Sequence, residues 1–116
     1  MKYDAKSLVL HNGLGLIFMA QYQPKYKWRR TKIDENDVPT DSDWSGYDGE
    51  IVIGRIQKQP HGPMKGKWLW SAHGPRVPKR LLSHQGFEPE GREAMRRVEE
   101  YYDRLLAHNG LSPGVK

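Results

Sequence analysis

The clearest pattern along the chain lies between residues 49 and 73, where two apolar, β-type runs flank a Gly/Pro-rich connection. In residues 50–57, alternation sends Ile51, Ile53 and Arg55 one way and Val52, Gly54 and Ile56 the other. Both sets are largely apolar, which predicts a middle strand with cover on each side. Gly54 inside that strand predicts close approach by a neighbour such as a Trp ring. Residues 67–73 place Trp68, Trp70 and Ala72 on one face, with Lys67, Leu69, Ser71 and His73 on the other. The intervening residues 57–66, with two prolines and two glycines, read as a long hairpin loop.

Upstream, residues 26–33 alternate with Tyr26, Trp28 and Arg30 on one face, which predicts a further strand. Residues 34–48 are rich in acids and turn formers and read as a loop, with Asp37-Val38 as an optional short strand. Residues 74–89 hold three prolines and two glycines and read as an irregular crossover, with Leu81-Leu82 tucked on to the core. Gly91, Ala94, Met95, Val98, Tyr101, Tyr102, Leu105 and Leu106 then repeat at helical spacing over four turns. Pro89 and the acids Glu88, Glu90 and Glu93 suit the start of that helix. Asn109-Gly110 supplies its stop, and Glu93 with Arg97 and Glu100 with Arg104 are expected i, i+4 pairs.

These elements predict an α+β domain. Its centre is a three-stranded antiparallel sheet, about 27–33, 50–57 and 67–73, packed against one C-terminal helix over 89–108. The expected organisation is an N-terminal arm or peripheral hairpin over 1–25, a single domain over 26–108 and a flexible tail over 109–116. Residues 8–20 carry an apolar run that turns at His11-Asn12-Gly13. The run is too short to span a bilayer and lacks a signal-peptide cleavage pattern, so no membrane partner is expected and the protein reads as cytoplasmic.

Charge sharpens the picture. The 116 residues carry a net charge of +5 and no cysteine, which excludes disulfides and thiolate metal sites. Residues 31–50 hold Lys32 against seven acids, whereas residues 51–86 hold seven bases and no acid. The basic block coincides with the expected sheet. Lys58, Lys65, Lys67, Arg76, Lys79 and Arg80 are therefore candidate phosphate contacts. Arg55, or an exposed Trp68 or Trp70, is the candidate for base or groove contact. Two arrangements of the tryptophans remain open at this point: burial under the helix as core, or exposure beside Arg55 as a stacking platform.

Catalytic patterns are not found. His11, His61, His73, His84 and His108 are scattered without ligand spacing, and there is no nucleophile elbow, phosphate-binding loop or dinucleotide fingerprint. The acidic stretch lacks the spacing of a calcium loop. No catalytic residue, metal ligand, cofactor or small-molecule substrate is expected. The sequence points to a non-enzymatic module binding DNA or RNA. The alternative is a protein–protein or homodimerising module using the apolar 8–20 segment and aromatics.

Trp28, Gly49, Ile53, Gly54, Arg55, Ile56, Gly66, Trp68, Trp70, Gly86, Glu93 and Ala94 together resemble a family of small bacterial proteins. That family combines a G-R-I strand, a W-x-W strand and a C-terminal helix. The resemblance covers roughly residues 26–108 and implies a fold unit without an assigned activity. At the level of topology, three strands followed by one helix are similar to the DNA-binding domains of plant ethylene-response factors and the arm-binding domains of phage integrases. That similarity implies a sheet face turned toward DNA, with Arg55, Lys67, Trp68 and Trp70 as the corresponding side chains.

Overall fold

A computed structural model describes residues 22–32, 34–36, 38–81 and 83–114. The expected hairpin over 8–20 lies outside these residues. The described chain forms β1 (Lys27–Arg30), β2 (Asp43–Asp48), β3 (Ile51–Lys58), β4 (Trp68–Ala72), β5 (Gln85–Glu88) and α1 (Gly91–His108). The sheet is an antiparallel meander in the order β1-β2-β3-β4-β5, and α1 packs across β3, β4 and β5. The α+β class expected from sequence is present, but the sheet has five strands rather than three.

The two additional strands come from segments read as loops. β2, Asp-Trp-Ser-Gly-Tyr-Asp, and β5, Gln-Gly-Phe-Glu, each contain a glycine opposite a tryptophan. Trp28 pairs with Gly46 and Trp70 with Gly86. A Cβ at Gly46 would lie 2.8 Å from the Trp28 ring, and one at Gly86 would lie 3.0 Å from Trp70 Nε1. Each glycine is the space into which a cross-strand indole folds. Gly54 has the same role for the helix: a Cβ there would lie 2.5 Å from Val98 Cγ1 and 2.6 Å from the Ser71 carbonyl oxygen. The neighbour expected to be a Trp ring is Val98.

β3 departs from simple alternation. Gly46 is opposite Gly54 but Tyr47 is opposite Val52, so Ile53 is an extra residue and the strand carries a bulge. The bulge turns both Ile53 and Ile56 into the core, each fully buried. Arg55 and Gln57 then face away from the helix, together with Val52. The expected grouping of Ile51, Ile53 and Arg55 on one face is corrected accordingly.

The core lies between the sheet and α1. It contains Trp28, Trp44, Ile53, Ile56, Trp70 and Ala72 from the strands and Ala94, Met95, Val98, Tyr101, Tyr102, Leu105 and Leu106 from the helix. The apolar stripe read from helical spacing is therefore the buried stripe, with Gly91 lying against the Trp68 ring. The helix begins after Glu90, which provides no side-chain cap. At its end, the Asn109 amide donates to the Leu105 and Lys79 carbonyls and so ties the crossover to the helix.

Helix pairing differs from the expected pattern. Arg96 takes both Glu93 and Glu100, while Arg97 pairs with Glu88 of β5. Glu99 is fully buried. Its carboxylate accepts from the Tyr22 hydroxyl, the Lys25 and Tyr26 backbone N–H groups and Trp28 Nε1. Residues 22–28 are thereby fastened to the helix. At the other end, Leu111 packs against the core and the Gly114 N–H donates to Asp48. Among the described residues, no helix is long and apolar enough to cross a membrane.

Candidate nucleic-acid interface

The helix covers one face of the sheet, and alternation fixes what the opposite face carries. Arg29, Ser45, Arg55, Ser71 and Gln85 are successive partners across all five strands and form one polar row. Asp43, Gln57, Leu69 and Phe87 form a second row, and Lys27, Tyr47 and Val52 a third. Among the described residues, no element packs on this face. Val52 and Phe87 remain 40% and 39% exposed.

Arg55 is held firmly. Its Nε and Nη2 donate to the two Asp43 carboxylate oxygens at 2.8 and 2.7 Å. Partial burial acts to raise the Asp43 pKa, but hydrogen bonds from Arg55 and Thr31 and the Arg55 charge outweigh it and hold the carboxyl below its ordinary value. The guanidinium is thus fixed in place against the adjacent strand, and among the described residues Nε and Nη2 carry its hydrogen bonds while Nη1 makes none. Arg29, exposed on the same face, lies over the Tyr47 ring at 5.3 Å from its centroid.

The described acids of residues 34–50 do not form a cluster. Asp41 pairs with Arg30, Asp43 with Arg55, and Asp48 accepts from Tyr102 and Gly114. Among the described residues, no group of three or more His, Asp or Glu is placed to hold a metal ion. His73 and His84 are neighbours, whereas His61 sits in the β3–β4 loop beyond the opposite end of β4. Partial burial, with repulsion from Arg80, Arg55 and His84, sets the His73 pKa below the usual imidazole value.

The candidate residues fall into three groups. Lys58 and Lys65 line a cavity of about 380 Å³ with Ser42, Gln59, Pro60 and Gly66 at the β3–β4 hairpin, and Lys67 follows in the same hairpin. Arg76, Lys79 and Arg80 belong to the crossover beyond the other end of β4, where Arg80 donates to the His73 and Pro75 carbonyls. Between these ends lies Arg55. Trp68 and Trp70 are not beside it: Trp70 pairs with the core residue Ile56, is only 7% exposed, and belongs with Trp68 to the helix-packed face. Of the two arrangements left open by the sequence, the structure shows burial of Trp70 under the helix. Lys27, Arg29, Tyr47 and Phe87 were not singled out in the sequence. Only the register of β2 and β5, both read as loops, brings them on to the face of Arg55.

Comparison with protein-family models, with curated proteins and with solved structures finds no match to this chain.

Proposed function

We propose that the protein is a non-enzymatic nucleic-acid-binding module whose contact surface is the sheet face opposite α1. The observation that carries this is the charge of that face. Lys27, Arg29 and Arg55 lie there with a single carboxylate, Asp43, which is already engaged by Arg55. The hairpin lysines flank one end and the crossover bases the other. A polyanion on the face would meet cations on β1, on β3 and beyond both ends of β4, and no uncompensated acid among the strand residues that face it.

Roles follow from placement. Lys58, Lys65, Lys67, Arg76, Lys79 and Arg80 neutralise phosphates at the two ends. Arg55, positioned by Asp43, offers Nη1 and its plane to a base, and Ser71 and Gln85 offer hydrogen-bonding groups. The tryptophans hold the sheet to the helix and do not enter the contact.

The test is the salt dependence of binding to a labelled random-sequence oligonucleotide, followed by fluorescence anisotropy. Affinity is expected to fall linearly on a log–log scale, and the combined Lys58→Gln, Lys65→Gln variant should have a shallower slope by about 1–2. No binding at low salt would overturn the assignment. Self-association in sedimentation without oligonucleotide binding would favour the homodimerising module instead.

A further inference from the structure

We infer that the open sheet face takes a single-stranded nucleic acid, its bases lying flat on Phe87 and on the Arg29–Tyr47 stack. This inference rests on the binding face proposed above and specifies which form of nucleic acid fits it.

The shape of the face favours a single strand. Five antiparallel strands spaced about 4.8 Å apart make a face about 19 Å wide, whereas the major groove of a duplex is about 12 Å wide and admits a helix or a narrow ribbon. The side chains of the central row on this face, Ser45, Arg55 and Ser71, are all partly or wholly buried. Such a surface touches a duplex through its phosphates at most. A single strand can lie along it.

The exposed chemistry of the face favours unpaired bases. Phe87 is an aromatic ring 39% exposed on a short edge strand, opposite Leu69. Its position on the solvent face satisfies no packing requirement of the core, which lies on the other side of the sheet. Across the sheet, the Arg29 guanidinium covers the Tyr47 ring and presents a planar cation to solvent. Aromatic rings and guanidinium planes are the two surfaces on which unpaired bases stack, and stacking tolerates any base. Between these platforms run Arg55, Ser71 and Gln85 in register, with both donors and acceptors. Base edges can meet such a row only when they are not already paired with another strand.

The flanking charge supplies the phosphate contacts. The cations flanking the face lie at the two ends of β4, in the hairpin and in the crossover, on either side of Arg55. They lie apart along the strand direction, whereas the row joining Phe87 to the Arg29–Tyr47 pair runs across the strands, so phosphates and bases are met by different groups.

The test compares labelled oligothymidylate, oligouridylate and a random duplex of equal length by anisotropy at one low salt concentration. Both single strands are expected to bind at least about tenfold tighter than the duplex, and the order of the two single strands distinguishes DNA from RNA. Phe87→Ala should weaken single-strand binding about tenfold with an unchanged salt slope, and Phe87→Trp should restore it. Duplex binding equal to or tighter than single-strand binding would overturn this inference while leaving the binding face standing. Binding of none of the three probes would remove both. Unchanged single-strand affinity in a folded Phe87→Ala protein would overturn the stacking role.

Discussion

Three glycines place the tryptophans and the helix. Gly46 and Gly86 each receive the indole of the opposite strand, and Gly54 lets Val98 sit against β3. Gly54→Ala would bring Cβ to 2.6 Å from a backbone carbonyl, which cannot rotate away. Overpacking of this kind costs about 1–3 kcal/mol. A lower urea midpoint with an unchanged m-value is the expected result. The same glycines explain what was hard to see in the sequence. Gly46 and Gly86 read as turn signals, because a glycine that receives a Trp looks, in one dimension, like a glycine that bends the chain. Gly54 was recognised as a close-approach site, but its partner is forty-four residues away in the helix and no local pattern names it.

Among the elements, the helix was the most legible. Its apolar spacing marks the buried apolar residues from Ala94 to Leu106, because 3.6-residue periodicity over four turns has few alternatives, while the buried Arg92 and Glu99 lie outside that pattern. β3 and β4 were legible as strands, yet the facing of β3 was not, since the bulge at Ile53 reverses the alternation partway along. β1 depends on contacts the sequence does not advertise. Glu99, which no local pattern singles out among the helix acids, is buried and receives four donors from Tyr22, Lys25, Tyr26 and Trp28. Glu99→Gln places an amide N–H₂ against some of those donors and leaves buried groups unsatisfied, at a cost of about 2 kcal/mol. Because the loss is concentrated on one edge of the sheet, amide exchange should accelerate most in residues 25–30 and least in β3 and β4. Uniform acceleration across the sheet would show that Glu99 supports the whole fold rather than the β1 edge.

For the molecule as a whole, charge and pH link stability to the open face. His73 has a depressed pKa, so as the pH falls below its ordinary 6.5 the unfolded chain takes up a proton that the native state resists. Stability therefore decreases with falling pH from that point. Asp43 is also depressed; its contribution is fully present above the ordinary carboxylate value and is lost as the pH falls through its native value. His73→Gln should abolish the first decline and leave the second, as read from urea midpoints across the acidic range. The block of bases over residues 51–86 was legible from composition, but its division into a hairpin group and a crossover group required the path of β4. The central claim is that the face opposite α1 is the binding surface. It is tested most directly by a two-dimensional amide NMR titration with a single strand of about eight nucleotides at low and physiological salt. The account predicts shifts at Arg29, Ser45, Tyr47, Arg55, Ser71, Gln85 and Phe87 that weaken with salt, and quiet signals along the exposed side of α1. Shifts concentrated on α1, or no shifts even at low salt, would contradict it.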